Sequence, residues 1–213
     1  AGQQATFLNV RDTTPLLEAV QRCWASLWTA RAIGYRMSHS IDQNAVSLAV
    51  VVQLLVPAEA AGIAFTANPV DGRRDQVVIN AAWGLGEAVV SGQVTPDALV
   101  VDKNNGKIAS RETAEKLVMT ARVNGGTQEQ PVLEALRKAP VLSDAQASEL
   151  ARLCQQIEQV YQQPMDIEWA LQDGCFSILQ ARPITALPET PLDWTPPHPK
   201  GVYMRGSVVD LLP

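Results

Sequence analysis

The sequence predicts an α+β fold, in which a mostly antiparallel sheet is flanked by helices and followed by a proline-rich linker. Short strand-like runs in the middle of the chain alternate with the turn signals Asn105-Gly106 and Gly125-Gly126. Helical patterns lie on either side of this region, and six prolines are found between positions 183 and 199. With 213 residues, 46% of them hydrophobic, the chain is long enough to bury one large core.

Composition excludes several classes of protein. A formal net charge of -5, with both signs interspersed, argues against a broad surface that neutralises phosphates, so we expect no nucleic-acid partner. The three cysteines form no C-x-x-C pair, which argues against a disulfide framework or a zinc site. The longest apolar run, Val46 to Pro57, is well short of the roughly 20 residues that span a bilayer. We therefore expect a cytoplasmic protein with no membrane segment.

The first elements in order are a helix and a strand. Thr14 and Pro15 are typical of an N-cap followed by proline at the first helical position, and apolar residues then recur at helical spacing for about four turns. The Val-rich run from Ser47 to Val56 is bounded by Pro57 and predicts a strand that is buried on both faces.

The middle of the chain predicts three further strands, and a helix follows them. The strand candidates are Gly62 to Thr66, Gln76 to Asn80 and Ala98 to Asp102. Ser143 and Gln146 have the spacing of a capping box, and apolar residues at intervals of three and four then predict a helix that ends near Gln162.

The last predicted element is a hairpin formed by residues 166–171 and 175–182. A three-residue loop, Gln172-Asp173-Gly174, places Leu171 opposite Cys175. Because side chains alternate along a strand, Glu168, Gln180 and Arg182 then share one face. The opposite face is entirely apolar and consists of Ile167, Trp169, Leu171, Leu179 and Ala181. A two-residue loop would shift the pairing by one and scatter the polar residues, so the pattern favours the three-residue loop.

Two interpretations fit this polar face. A carboxylate, an amide oxygen and a guanidinium on one patch suit a magnesium-bound polyphosphate, because Mg²⁺ takes oxygen ligands and the arginine fork takes phosphate oxygens. The alternative is a solvated outer face with an incidental Glu168–Arg182 pair, since exposed charged pairs are common. The hairpin alone leaves both open.

Four segments together resemble a known family. They are Val-Val-Gln-Leu-Leu-Val at 51–56, Gly-Ile-Ala-Phe-Thr-Ala-Asn-Pro at 62–69, Ala-Trp-Gly-Leu-Gly-Glu-Ala-Val-Val-Ser-Gly at 82–92, and Glu-Trp at 168–169 followed by Leu-Gln-Ala-Arg-Pro at 179–183. In this order they resemble the ATP-binding domain of the pyruvate phosphate dikinase and phosphoenolpyruvate synthase family, which has an ATP-grasp fold. The opening ten residues look most like the rifampin phosphotransferase branch.

The resemblance implies a role for individual residues. Glu168 and Gln180 are implied to bind magnesium and, with it, ATP, and Arg182 is implied to be the catalytic residue that holds the transferring phosphate. Gln53 is implied to contact the nucleotide, next to the backbone of 54–56 at the base. Gly2 and Thr6 are implied to belong to a loop over the phosphates. From the residues alone, Gln53 could equally be a polar residue satisfied inside a buried strand.

The resemblance also implies a domain organisation. Residues 1–187 correspond to the C-terminal portion of the ATP-grasp domain, and residues 188–213 to the linker and the start of a following domain. A preceding lobe with a phosphate-binding lysine and arginine, and a swivelling phosphohistidine domain, are the implied partners, so we expect the chain alone to be inactive. We interpret His39 as an exposed helix-end residue and His198 as a linker residue, because neither has the glycine-rich setting of the family's phosphate carrier.

The sequence thus predicts the Mg-ATP-binding part of a dikinase-type phosphotransferase that serves pyruvate or a similar acceptor. A rifamycin-modifying phosphotransferase is an alternative within the family, and a non-catalytic nucleotide-binding or interaction module is an alternative of another class. The run from Trp83 to Glu87 lacks the third glycine of a dinucleotide loop, which leaves a turn or a phosphate contact as its function.

Overall fold

A computed structural model describes residues 4–90, 92, 94–185 and 187–188. The helices are α1 Thr13–Ala25, α2 Ala30–Ser38, α3 Glu87–Val90, α4 Glu134–Arg137 and α5 Asp144–Tyr161, with a 3₁₀ turn at Ser26–Trp28. The strands are β1 Ala60–Phe65, β2 Gln76–Trp83, β3 Asp97–Asp102, β4 Ile108–Glu112, β5 Val118–Val123, β6 Gly126–Pro131, β7 Met165–Gln172 and β8 Cys175–Pro183. Six strands form an antiparallel sheet in the order β4-β3-β2-β1-β7-β8, and β5 and β6 form a separate hairpin.

The core lies between one face of the six-stranded sheet and α5. The helix contributes Ala147, Leu150, Ala151 and Cys154. The sheet contributes alternate residues of its central strands, among them Val77, Ile79, Leu99, Val101, Ile167 and Trp169. Because successive side chains of a strand point to opposite faces, the intervening residues of β7, Asp166 and Glu168, lie on the face that α5 does not cover.

The α+β architecture predicted from the sequence is confirmed. The three short strand candidates lie within β1, β2 and β3, with Thr66 just beyond the end of β1. The capping box of α5 is present, since the Ser143 hydroxyl accepts from the Gln146 backbone N–H and the Gln146 side chain accepts from the Ser143 N–H. His39 is an exposed residue that caps the end of α2, as expected.

The start predicted for α1 is displaced by two residues. The helix begins at Thr13, its N-cap is Asp12 with a positive φ of 69°, and no side chain caps it. Thr14 and Pro15 therefore lie inside the first turn, where proline is tolerated because the first N–H groups of a helix have no intrahelical acceptor. No start was predicted for α2, the helix that ends before His39; it begins after Thr29.

The buried strand predicted for Ser47 to Val56 is wrong. This segment belongs to no described strand or helix, and Val51, Val52 and Leu54 in it are exposed, Leu54 at 93%. A Val-rich run is stabilised as a strand only when neighbouring strands and helices cover it, and none of the described strands pairs with this segment. The sequence pattern indicated a segment that needs cover, but not where that cover comes from.

The hairpin register also differs from the prediction. The loop has two residues, Asp173 and Gly174, both with positive φ, which is the conformation of a tight two-residue hairpin turn. Gln172 therefore pairs with Cys175, and Leu171 with Phe176 rather than with Cys175. A β-bulge next to Glu168 then leaves Leu179 without a ladder partner and restores the alternation.

The side hairpin β5–β6 is attached to the sheet through the run from Trp83 to Glu87. Gly84 has a φ of +78° and donates its N–H to the Glu59 carbonyl, while Leu85 donates to the Thr120 carbonyl of β5. A Cβ at position 84 would lie 2.4 Å from the Thr120 oxygen, so this close approach requires glycine. The geometry thus favours the turn interpretation of this motif.

Three predictions concern residues outside the described ranges: the phosphate-loop role of Gly2, the linker position of His198, and the proline-rich linker itself. Along the part of the chain that the structure describes, no helix combines the length and apolar character needed to cross a membrane.

Candidate functional site

Glu168, Gln180 and Arg182 lie on one face of the β7–β8 hairpin, as predicted. Glu168 pairs across the ladder with Gln180, and Asp166 with Arg182, so these four side chains point to the same side of the sheet. The predicted apolar face is also present, with Ile167, Trp169 and Leu171 buried in the core. Leu179 and Ala181 are only half-buried.

The face keeps its composition although the predicted loop was wrong. Beyond the bulge, Glu168 lies opposite Gln180, whereas pairing Leu171 with Cys175 would put it opposite Ile178. The register there differs from the predicted one by two residues, and a shift of two keeps Gln180 and Arg182 on the face of Glu168. Ile178 lies opposite Trp169, where the predicted pairing would place Ser177, and Phe176 packs edge-on against the Trp169 ring at a centroid distance of 5.7 Å. The bulge is therefore what brings Gln180 and Arg182 to the polar side of the sheet.

Arg182 forms its ion pair with Asp166 and not with Glu168. Its Nε and one terminal nitrogen donate to Asp166 Oδ2 at 2.8 and 2.7 Å. Asp166 is only 8% exposed, whereas the Arg182 side chain is 38% exposed, so the pair is shielded from solvent on the carboxylate side alone. The two-point contact holds the guanidinium plane in one orientation above the hairpin.

Among the described residues, the second oxygen of Asp166 accepts no hydrogen bond and the Glu168 carboxylate forms no ion pair. Asp166 Oδ1 is buried and makes no hydrogen bond among the described residues. Partial burial raises the pKa of Glu168, an effect that Arg182 reduces and Asp166 strengthens. With two carboxylates and one guanidinium, the face has an excess of one negative charge and favours a cation.

These groups fit a magnesium ion that is bound together with a polyphosphate. Carboxylate and amide oxygens are the donors that Mg²⁺ prefers, and Glu168, Gln180 and Asp166 provide them side by side. The described residues contain no cluster of three or more His, Cys, Asp or Glu, so a metal here takes only part of its ligands from the chain. That is the usual arrangement for Mg²⁺, which completes its shell with phosphate oxygens and water.

Two neighbouring residues on this face were not singled out by the sequence analysis. Asp166 has the same strand parity as Glu168, a signal that was available in the sequence. Asn80 lies two strands away in the same row, because Ile63 of β1 pairs with both Glu168 and Asn80. Asn80 could be identified only after the strand order was known.

Gln53 and Thr6, the other predicted site residues within the described part of the chain, are not gathered at the hairpin face. Gln53 is exposed, and its amide nitrogen lies 3.4 Å from the carbonyl of Leu179, on the outer edge of β8. Gln53 is therefore not satisfied inside a buried strand, the alternative considered above. Thr6 is exposed in the segment that precedes α1. No described contact joins either residue to the carboxylates.

The hairpin face is open, and two solvent-open pockets lie elsewhere. One cavity of about 240 Å³ is formed by residues 57–59, 84–85 and 119–122. A second of about 210 Å³ is lined by Glu87, Thr120, Thr127, Gln128 and Glu129. Neither includes Glu168, Gln180 or Arg182. A ligand on the hairpin face would therefore need a second surface to cover it.

Comparison with known proteins gives one consistent result. The profile of the family described as "Pyruvate phosphate dikinase, AMP/ATP-binding domain" matches residues 1–195. The chain is 49% identical to a probable phosphoenolpyruvate synthase of Methanothermobacter thermautotrophicus over 189 residues, which cover 89% of this chain and 28% of that protein.

Two further relatives are similar to the same degree. Identity is 48% over 198 residues to the phosphoenolpyruvate synthase of Pyrococcus furiosus, covering 89% of this chain and 24% of the relative. It is 48% over 188 residues to a rifampicin phosphotransferase of a Streptomyces species, covering 88% and 22%. The chain thus spans roughly a quarter of the length of these relatives.

Proposed function

The chain belongs to the pyruvate phosphate dikinase AMP/ATP-binding domain family, and from this premise we propose that its β7–β8 hairpin face binds the magnesium-phosphate part of ATP. The observation that supports the proposal is the convergence of Glu168, Gln180 and Arg182 on one face. An excess negative charge and donor oxygens favour the cation, and the guanidinium favours the phosphates.

Different residues of the hairpin face bind the metal and the phosphates. Glu168 and Gln180, with Asp166 beside them, hold Mg²⁺, which when bound neutralises phosphate charge and orients the polyphosphate. Arg182, oriented by Asp166, donates to the oxygens of the phosphate that moves and stabilises the charge that develops there. Gln53 and the backbone of 54–56 contact the base, and Gly2 and Thr6 belong to the loop over the phosphates.

The complete reaction requires parts beyond this chain. We propose that a lobe with a lysine and an arginine covers the open face, and that a swivelling domain provides a histidine. ATP, water and the neutral histidine then yield AMP, inorganic phosphate and a phosphorylated histidine ring, and the ring proton passes to water. The phosphate continues to pyruvate or, as a second candidate, to a rifamycin hydroxyl. The two kinds of relative are about equally similar to this chain, so the acceptor follows from the other domains.

Three substitutions in the full-length protein test these roles, with ATP-dependent AMP formation as the assay. Arg182→Ala is expected to lower kcat by about 10³-fold, because a charge stabiliser at a transferring phosphate contributes that much. Glu168→Gln should raise the magnesium concentration needed for half-maximal rate, since one ligand charge is lost. Gln53→Ala should raise the KM for ATP with little change in kcat, as expected for a group that binds ground and transition states alike.

A matched control separates these effects from the general loss of an arginine. Arg152 is exposed on α5, on the opposite side of the sheet. Arg152→Ala should leave AMP formation unchanged. Near wild-type AMP formation by Arg182→Ala would contradict the proposed catalytic role. Adding pyruvate or rifampicin to the phosphorylated protein then identifies the acceptor. If the wild-type protein formed no AMP and phosphorylated neither compound, a non-catalytic nucleotide-binding module would be favoured.

A further inference from the structure

Thr66 continues the β1–β7 pairing beyond the last pair of the ladder. The ladder ends at Phe65 opposite Asp166. One residue further, the Thr66 backbone N–H donates to the Met165 carbonyl at 2.9 Å, and the Thr66 hydroxyl accepts from the Met165 N–H at 2.8 Å. Both polar backbone groups of the residue before Asp166 are thus held by one threonine, which is fully buried.

The Thr66 hydroxyl is itself oriented by a half-buried ion pair. It donates to Glu158 Oε1 at 3.0 Å, while Lys103 Nζ donates to Glu158 Oε2 at 2.5 Å. Because the hydroxyl has one proton, donation to Glu158 leaves its lone pairs free to accept from Met165. Lys103 lies between β3 and β4 and Glu158 in the last turns of α5, so separate elements converge on this threonine.

We propose that Thr66 is a positioning residue for the catalytic face and acts through Met165 and Asp166 on Arg182. This inference rests on the proposed function and adds to it a residue that does not touch the nucleotide. Fixing the start of β7 fixes the Asp166 carboxylate, and Asp166 Oδ2 in turn holds Nε and a terminal nitrogen of Arg182. A displacement of β7 at Met165 therefore reaches the guanidinium through one residue.

Thr66→Val and Thr66→Ser separate the hydroxyl from the shape of the side chain. Valine has a similar volume but leaves the buried Met165 N–H without an acceptor, whereas serine keeps the hydroxyl. In the full-length protein, Thr66→Val is expected to lower kcat for AMP formation by about 10- to 100-fold, since small misplacements of a catalytic group cost this much. The KM for ATP should stay within about twofold. Thr66→Ser should restore kcat to within about threefold.

A double-mutant cycle distinguishes positioning of Arg182 from a general structural effect. If Thr66 acts through Arg182, adding Thr66→Val to Arg182→Ala lowers kcat no further. Thr120→Val is the matched control, because Thr120 is also buried but belongs to β5, away from the hairpin face. It should leave kcat unchanged. Should Thr66→Val fail to fold, Glu158→Ala, which removes the acceptor that orients the hydroxyl, is expected to give the same non-additive loss.

A second measurement does not depend on activity. In the 213-residue chain, the Arg182 Nε–H resonance, assigned by its loss in Arg182→Ala, reports the contact with Asp166. It should remain sharp in Thr66→Ser and broaden or shift in Thr66→Val. An unchanged resonance in Thr66→Val, or kcat losses that add in the cycle, would overturn the positioning role. Full activity of Arg182→Ala would instead refute the proposed function, and the resonance would still decide the role of Thr66.

Discussion

Replacement of Lys116 by methionine is expected to lower the free energy of unfolding of the chain by about 3–5 kcal/mol. The Lys116 and Asp97 side chains form an ion pair and are only 1% and 0% exposed. Lys116 Nζ donates to Asp97 Oδ1 at 2.5 Å and to the Ala114 carbonyl at 2.9 Å. Methionine fills a similar volume, so the variant chiefly removes the charge that neutralises a buried carboxylate.

The magnitude follows from what Asp97 retains. Two backbone donors remain, the N–H of Ala114 at 2.9 Å and the N–H of Val141 at 2.8 Å, so the carboxylate keeps hydrogen bonds but loses its counter-charge. An uncompensated buried charge costs several kcal/mol, whereas a neutral pair avoids most of that cost. The double variant Lys116→Met with Asp97→Asn should therefore recover at least half of the loss, because the amide oxygen still accepts from a backbone N–H.

Urea unfolding of the chain, followed by tryptophan fluorescence, measures both variants. For a slope of about 2 kcal/mol per molar urea, the Lys116→Met midpoint should fall by about 2 M. Lys138→Met is the control, because Lys138 is exposed and lies 3.7 Å from Glu115. It should change the unfolding free energy by less than about 0.5 kcal/mol. A Lys116→Met loss below about 1 kcal/mol, or a double variant less stable than the single one, would refute this reasoning.

Two further predictions concern the side-hairpin attachment and the acidic face. Gly84→Ala should lower the free energy of unfolding in urea by about 1–3 kcal/mol more than Gly106→Ala does. Both glycines have positive φ, but only a Cβ at position 84 would meet a carbonyl oxygen. Equal losses would contradict the close contact. Because the pKa of Glu168 is raised by burial, protons should weaken magnesium-dependent nucleotide binding at a pH above the ordinary glutamate range, and Glu168→Gln should lack this dependence. A pH-independent binding curve in the wild type would contradict the assignment of Glu168 to the magnesium site. The raised pKa of Glu168 also means that the apo chain loses stability as pH rises through that pKa.

Local patterns predicted the parts of the fold that local chemistry determines. The capping box at Ser143 and the alternation of β7 each need only neighbouring residues, and both were identified correctly. The face shared by Glu168, Gln180 and Arg182 was also predicted, although from a loop of the wrong length. A two-residue loop alone would have reversed the two faces of β8, and the bulge reverses them back. The hydrophobic pattern is then the same as for a three-residue loop, so the pattern does not reveal the bulge.

The remainder depends on contacts that are distant in the sequence. The segment around Leu54 is as apolar as a buried strand, yet Leu54 is 93% exposed, so composition alone did not reveal whether this segment is covered. Thr66 and Met165 are 99 residues apart, and Thr66 and Glu158 are 92 apart. A single sequence does not indicate which threonine will meet which glutamate across a sheet, and Thr66 became a candidate only once the strand order placed it beside Asp166.

The central claim is that the hairpin face binds a metal-nucleotide complex, and the location of the metal tests it most directly. Crystals of the full-length protein grown with Mn²⁺ and a non-hydrolysable ATP analogue would locate the ion by its anomalous scattering. We predict an ion about 2.1 Å from oxygens of Glu168 and Gln180, with Arg182 on a phosphate. An ion and nucleotide bound elsewhere, such as in the cavity lined by Glu87 and Glu129, with the hairpin face vacant, would contradict the account.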